Sequence, residues 1–338
     1  MKVYIIGEYR EQFFSKSPNS YFNPHPSYSN IEDILQACKE KNIECQYYGG
    51  VLDLIHDIDK KKQFDNETIF INISDGLTQP YCRLQAPVLL ELLGVKYTGS
   101  SPFTVSLMNN KHYSKVAVHN ADIKNIYIPD GLLVTKNACS NFEHYLNSQY
   151  PKIIKPNNDG FSMGITDKSV VYNINSAFEQ TNLLLEDYDE ILIEEYISGM
   201  DVSVFLLGNP GEIDINEPIV YKTYGQLYLN KEVRGIDVKA NKLSEKIAGT
   251  KILDKNITTQ LTKVSNDIFC LFNTRDIARI DYRITNDGKI YFIEINACPI
   301  LSKNSDAKVV CESANISYSD LIEKYLYIAY NRYFNHKR

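Results

Sequence analysis

Ile277-Ala278-Arg279-Ile280-Asp281-Tyr282-Arg283-Ile284 and Lys289-Ile290-Tyr291-Phe292-Ile293-Glu294-Ile295-Asn296 are two runs of alternating character, separated by Thr285-Asn286-Asp287-Gly288. Alternation of polar and apolar residues is the pattern of a strand with one face buried. Asp-Gly between two such runs is a strong hairpin signal. With Asp287-Gly288 as a two-residue type I′ turn, Asn286 pairs with Lys289, and counting back sets Asp281 opposite Glu294 and Arg279 opposite Asn296. These four then share one face, while Ile280, Tyr282, Ile293 and Ile295 point to the other. A four-residue turn would set Asp281 against Phe292, mixing polar with apolar groups, so the first register is expected. Carboxylates placed directly opposite each other repel unless a cation sits between them. Arg279 is one candidate cation and a divalent ion is the other. Asp281, Glu294 and the side-chain carbonyl of Asn296 are all oxygen donors, a set that suits a hard ion, Mg²⁺ or Mn²⁺, which typically also takes phosphate oxygens. A surface hairpin carrying an Arg–carboxylate cluster would satisfy the same pattern.

Upstream, Lys155-Pro156-Asn157-Asn158-Asp159-Gly160-Phe161-Ser162-Met163-Gly164 lies between two expected strands, 152–155 and 165–171. Gly160 and Gly164 permit positive φ and leave backbone N–H groups free to cradle phosphate, and Lys155 supplies a fixed charge. Ile191-Leu192-Ile193-Glu194-Glu195-Tyr196-Ile197-Ser198-Gly199, followed by Asp201, is an apolar strand running into a polar link. Its backbone amides could meet an adenine edge, and the following carboxylate could accept ribose hydroxyls. Taken singly, each stretch reads better as an ordinary turn with solvated charges. No Walker A loop occurs, and the first strand lacks G-x-G-x-x-G.

The rest of the chain reads as alternating α and β elements. Strands are expected at 2–6, 43–48, 68–73, 190–196 and 201–207, with a long loop at 14–30 and another at 222–250. Asn30 is expected to cap a helix, Ser101-Pro102 to open one running to about Val118 with Lys111 and Lys115 on it, Asn175 to cap a third and Asp254 a fourth. The 338 residues suggest two or three domains, and 43% hydrophobic with 23% charged residues is globular composition. The net charge of −6 leaves no footprint for sequence-independent nucleic-acid binding. No apolar run approaches the roughly 20 residues of a membrane helix. The apolar residues 3–6 are cut off by Glu8 and Arg10 and read as a strand, not a signal peptide. Seven widely spaced cysteines without C-x-x-C point to a reducing cytoplasm and to buried, unpaired thiols. Cys298 stands apart because it adjoins the hairpin.

In order and spacing, Lys111, then Lys155 before a Gly-bearing loop, then Glu194-Glu195-Tyr196-Ile197, then Arg279-x-Asp281 and Glu294-x-Asn296-x-x-Pro299 resemble the ATP-grasp superfamily. Within it the chain is similar to the D-alanine–D-alanine ligase group. Residues 88–100 (VLLELLGVKYTGS) resemble that group's approach to the central domain, Asn110-Lys111 its Asp-Lys, and residues 316–322 the start of its terminal helix. The resemblance covers roughly 85–330. It implies an α/β ATP-grasp fold: an N-terminal pre-ATP-grasp, Rossmann-like domain over 1–105, a central lobe over 106–195, and a C-terminal lobe over 196–338. It further implies an ADP-forming ligase that joins a small-molecule carboxylate to an amine through an acyl phosphate, with ATP and one or two Mg²⁺ (or Mn²⁺) ions. Asp281, Glu294 and Asn296 would hold metal, and Arg279 would act in catalysis. Lys111, Lys155, Ser162, Glu194, Glu195, Ile197, Asp201 and Lys231 would hold ATP. No nucleic-acid or membrane partner is implied, and a homodimer is left open.

The departures from the group are concentrated on the substrate side. The group's His-Gly-x-x-Gly-Glu-Asp-Gly region is replaced by residues 74–83 (SDGLTQPYCR), and 8–30 lacks the Ser-x-Glu segment that holds the first substrate's amine. Phe161 stands where the group has the first of two serines, Ile300 replaces a Gly, and Lys231 is the nearest match to the Lys of an Ala-Lys-Tyr loop. A specialised amino-acid-conjugating ligase is therefore expected. A true D-alanine–D-alanine ligase and a non-catalytic nucleotide sensor are the rivals.

Overall fold

The computed structural model describes residues 1–338 except 17–24, 78–80, 137–141, 159, 161, 236–237, 239–240, 242 and 335–338. The first sheet is built from β1 (Lys2–Ile6), α1 (Tyr28–Glu40), β2 (Cys45–Gly49), α2 (Val51–Asp59), β3 (Thr68–Asn72), α3 (Gln85–Leu92) and β4 (Lys96–Tyr97). Its strands are parallel in the order β2-β1-β3-β4. Strands covered on both faces read as unbroken apolar runs; Val3, Ile5, Ile6, Ile69, Phe70 and Ile71 are all fully buried. Asn30 is not the cap of α1, which begins one turn earlier, after Ser27. The Tyr28 N–H donates to the Glu11 carboxylate at 3.0 Å, so a donor left open at the helix start is met from a distant segment.

Two further helices follow, α4 (Pro102–Asn109) and α5 (Lys111–Asn120), where a single helix was expected. Asn110 leaves the helical region (φ −90°, ψ 104°), and its side chain accepts from the Tyr113 N–H at 2.9 Å. The break turns the Lys111 N–H onto the carbonyl of Asn157 at 3.1 Å. The second sheet comprises β5 (Gly131–Thr135), α6 (Phe142–Leu146), β6 (Lys152–Pro156), β7 (Val170–Val171), α7 (Ile174–Asp187) and β8 (Glu190–Glu195). It is antiparallel in the order β5-β8-β6-β7. The strand expected over 165–171 shrinks to β7 because Thr166 caps a 3₁₀ turn over Asp167–Ser169. Asn173, two residues before the expected Asn175, caps α7 by accepting from the Ser176 N–H at 3.0 Å.

The largest sheet holds β9 (Gly199–Asn209), β10 (Glu212–Thr223), β11 (Tyr228–Leu229), β12 (Ser244–Ala248), β13 (Asp276–Ile284) and β14 (Ile290–Asn296), with α8 (Lys255–Leu271) preceding β13. It runs β12-β10-β9-β13-β14, with β11 added to β9, so part of 222–250 is strand rather than loop. Asp254 caps α8 as expected, accepting from the N–H groups of Asn256 and Ile257. After α9 (Asp306–Ala314), α10 (Tyr318–Phe334) returns to the first sheet, where Tyr325, Leu326 and Ala329 share a core with Val3, Ile5 and Ile31. Arg332 on α10 clamps the fully buried Asp276 with two bonds of 3.0 and 2.7 Å, and Asp276 also accepts from the Gly99 N–H at 2.8 Å. No helix among the described residues is long and apolar enough to cross a membrane.

The hairpin register is as expected at its functional end but reached differently. Arg279 pairs with Asn296, Ile280 with Ile295 and Asp281 with Glu294; beyond a bulge, Tyr282 pairs with Phe292 and Ile284 with Ile290. The turn is not a two-residue I′ turn. Thr285 pairs with Lys289 across Asn286-Asp287-Gly288, with Gly288 at φ +81°. The three-residue loop shifts the register by one, Ile293 takes up the shift as the bulged residue, and Phe292 rather than Ile293 fills the core.

Candidate active site

β13 and β14 present their polar face beside α5 and the end of β6. Arg279 grips Asp281 with two bonds of 2.7 Å, and Ser203 on β9 donates to the same carboxylate at 2.7 Å. Asn296 Nδ2 lies 3.4 Å from both Asp281 Oδ2 and Glu294 Oε1, so the three expected metal ligands surround one point. Rotating the Asn296 amide by half a turn puts its oxygen there instead. Among the described residues no group of three His, Cys, Asp or Glu side chains comes together. The hairpin's two carboxylates and one amide are thus the available donor set, and they fit a hard ion that fills its shell with phosphate oxygens and water.

Glu294 Oε2 also lies 3.4 Å from Lys111 Nζ. Behind Lys111, the buried Glu194 carboxylate is shared by Lys115 and Lys155, with Lys155 Nζ at 2.5 Å. Three ammonium groups therefore converge, and among the described residues Glu194 and Glu294 face them. Burial first, then the Lys111 charge, pulls Lys155 down to about 8; burial, then Lys155 and Lys111, lowers Lys115 well below the usual lysine range. An excess of buried positive charge is what a polyphosphate would neutralise. Glu194, expected to hold ATP, is the counter-ion shared by Lys115 and Lys155. Lys115, placed on the expected helix but given no role, belongs to the cluster.

Left-handed backbone in the loop after β6 falls at Ser162 (φ +63°) and Gly164 (φ +69°). Gly160 packs against Arg83: a Cβ there would lie 2.7 Å from Nη2, so the guanidinium would have to shift. Ser162 Oγ donates to the carbonyl of Arg234 at 3.0 Å. Phe161 lies outside the described residues.

At the adenine-edge position the N–H groups of Glu195 and Tyr196 already donate, to Asp130 and Pro151 at 2.8 and 3.1 Å; among the described residues that of Ile197 makes no such bond. Glu195 is exposed and Ile197 buried. Asp201 is held by Arg283 at 3.0 Å, yet its other oxygen, Oδ2, is buried without a partner among the described residues. An orphaned buried carboxylate oxygen fits a ribose hydroxyl donor. Lys231 is not brought into the cluster: it is exposed, with its ammonium 6.0 Å from the ring centroid of Tyr172.

A cavity of about 860 Å³ opens beyond the hairpin, lined among others by Arg83, Tyr221, Arg234, Lys246, Arg279 and Asp306. Burial alone would raise the Asp306 carboxyl, but Arg279 and Lys246 overcome it and hold it at about 2. Cys298, at the same wall, has its thiol pushed up to about 12 by burial and then by Asp75, so it is no nucleophile. Sequence reasoning missed Arg83, Arg234, Lys246, Asp306 and Arg283. Arg283 alone left a signal, as the next same-face residue after Arg279 and Asp281.

A family model described as D-ala D-ala ligase C-terminus matches residues 122–327. The D-alanine–D-alanine ligase of Petrotoga mobilis is 29% identical over 277 residues, covering 82% of this chain and 85% of the relative. An uncharacterized protein, y4sG, of Sinorhizobium fredii is 27% identical over 311 residues, covering 90% and 88%. The ATP-complexed D-alanine–D-alanine ligase of Bacillus anthracis superposes with a TM-score of 0.71 at 18% identity over 100% of both chains. VanG D-Ala:D-Ser ligase of Enterococcus faecalis gives 0.71 at 16% identity, covering 97% and 99%. Sequence over more than half the chain and fold over its whole length agree, and the chain belongs to the D-alanine–D-alanine ligase family, with the ATP-grasp fold.

Proposed function

We propose that the protein joins a carboxylate to an amine at the expense of ATP. The observation that carries this reading is the convergence of Asp281, Glu294 and Asn296 with Arg279 on one side and Lys111 on the other. A divalent ion held there would neutralise the triphosphate and lower the barrier to phosphoryl transfer. Lys111, Lys155 and Lys115 attract the phosphate oxygens and fix the γ-phosphoryl group in line with the incoming carboxylate. A carboxylate oxygen attacks the γ-phosphorus, the bond to the β-phosphate oxygen breaks, and ADP leaves. The amine then attacks the acyl carbon, loses a proton, and inorganic phosphate departs. Arg279, anchored by Asp281 and Asp306, presents its guanidinium to the oxyanion of that tetrahedral intermediate. Asp201 Oδ2 accepts a ribose hydroxyl, and the Ile197 backbone meets the adenine edge.

D-alanine is a poor first substrate on this reading. A small zwitterion needs its ammonium paired, or desolvation cancels its binding. The acids nearest the expected place are both committed. Glu8 accepts from the Val51 N–H at 2.7 Å, Ser74 Oγ at 2.6 Å and the Gly76 N–H at 3.2 Å, while Glu11 caps α1. A phosphate-release screen over amino-acid pairs, with product masses, tests both statements. Phosphate release with a condensed product supports the ligase. Efficient formation of D-alanyl-D-alanine refutes the exclusion of D-alanine, and ATP binding without turnover for any pair refutes the ligase.

A further inference from the structure

The cations lining the large cavity are not equivalent. Arg279 is satisfied by Asp281 and Asp306, Lys246 by Asp306 at 2.9 Å, and Arg83 by Asp75 at 2.9 Å. Arg234 differs. Its guanidinium lies on the face of Tyr221, Cζ 3.5 Å from the ring centroid, and among the described residues it has no ion pair and no side-chain hydrogen bond. Half-buried and stacked on an aromatic face, the guanidinium keeps N–H donors turned to the cavity, where an anion could accept from them.

The position of Arg234 is also built. Tyr221 is itself oriented by a 3.1 Å bond from its hydroxyl to Asp306. The Arg234 carbonyl accepts from Ser162 Oγ at 3.0 Å. The next residue, Gly235, runs so close to the loop after β6 that a Cβ would lie 2.7 Å from the Ile165 carbonyl oxygen. The backbone is thus pinned on the phosphate loop, and the side chain projects into the cavity that Arg279 and Asn296 share. A neutral side chain would stack on Tyr221 as well, but only a cation there offers an entering anion a counter-charge.

We propose that Arg234 anchors a second anionic group on the substrate, and that this ligase takes a dicarboxylic amino acid of the aspartate or glutamate class. The inference rests on the ligase reading and names its substrate class. One carboxylate is activated beside Arg279, while the other forms the bidentate pair that a guanidinium offers. Both fit within one cavity of about 860 Å³.

The test uses the full-length protein with MgATP. Phosphate release is measured with D- and L-aspartate and D- and L-glutamate against asparagine and glutamine, each across a panel of amine and carboxylate partners. The acids should exceed their amides at least tenfold in kcat/KM. Arg234→Met should erase that preference, raising KM for the acid tenfold or more while KM for ATP moves less than twofold. Arg234→Lys should restore part of the preference, and an unchanged melting temperature confirms that the variants fold. Equal use of acids and amides, or turnover confined to neutral amino acids, overturns the inference and leaves the ligase reading intact. A rise in the ATP KM of Arg234→Met as large as that for the acid also overturns it, because the anion is then a phosphate. If no pair is turned over, the ligase reading itself fails. Calorimetry with glutamate and glutamine on the protein loaded with a non-hydrolysable ATP analogue then decides: binding of the acid alone, lost in Arg234→Met, supports the anchor, and any other pattern refutes it.

Discussion

Two Asp–Arg pairs on β13 have opposite assignments. At one end Asp276, fully buried and held at φ +65°, is closed off by Arg332 and the Gly99 N–H. Further along the strand, the half-buried Asp281 is gripped by Arg279 with two bonds of 2.7 Å, yet it faces Glu294, and Arg279 and Asn296 line the cavity. The first pair has all its bonding capacity turned inward and joins three parts of the chain. The second sets one carboxylate directly opposite another, that of Glu294. Charge that is complete serves the fold, and charge left incomplete marks the site.

Breaking the second pair should cost activity above all. Glu294→Gln is expected to lower turnover by at least about a hundredfold, given the several kcal/mol a metal-held phosphoryl group is worth, with little change in melting temperature. Asp281→Asn should cost as much activity and some stability too, because Arg279 loses its counter-charge and one of its two acceptor oxygens. Steady-state kinetics beside thermal denaturation separates the two. Retained Mg²⁺-dependent turnover in both variants would remove the metal assignment from the hairpin.

Breaking the first pair should do the reverse. Asp276→Ala strands Arg332 without its counter-ion, and removal of one partner of a buried pair costs about 3–5 kcal/mol. Denaturant unfolding should show this loss, while kcat of the surviving folded fraction stays near that of the parent. A large kcat effect with normal stability would show that Asp276 reaches the chemistry.

The hairpin was legible because its facing pairs lie within 20 residues of each other and period-2 alternation fixes which side chains share a face. Even there the turn was misread: the shift from Asn286-Asp287-Gly288 and the bulge at Ile293 cancel, so Asp281 still meets Glu294. Lys111 and Lys155 were legible as spacing, but the role of Glu194 between Lys115 and Lys155 depends on α5 packing across β8, which no local pattern reports. The cavity wall was not legible at all. Arg83, Arg234, Lys246 and Asp306 come from four separate segments, and each alone reads as an ordinary surface charge. Lys231 rests on a match to the family's Ala-Lys-Tyr loop, and a loop match fixes no direction for the side chain.

Lys155→Met gives a smaller effect and sharpens the contrast within the cluster. Charge-assisted contacts are worth about 1.5–3 kcal/mol, so ATP should bind roughly ten- to a hundredfold more weakly. The fold should survive, because Glu194 keeps Lys115. Calorimetric titration checks this, and unchanged affinity would return Lys155 to a purely structural part.

The smallest effect is the pH dependence of that same contact. Lys155 titrates at about 8 in the free protein, lowered by burial and by Lys111. Triphosphate oxygens favour the protonated form, so its pKa rises on binding. The bound state therefore holds more protons than the free state above pH 7, and ATP affinity must fall as pH rises through this range. With a free-state value near 8, the protonated fraction drops from about nine-tenths at pH 7 to about one-quarter at pH 8.5, an affinity loss of about fourfold. Lys115, lowered in the same direction, steepens the fall. Calorimetry in two buffers of different ionisation enthalpy should register proton uptake at pH 8, and Lys155→Met should reduce it. Proton release instead, or uptake unchanged by the substitution, would mean that Lys155 is not the group that meets the phosphates.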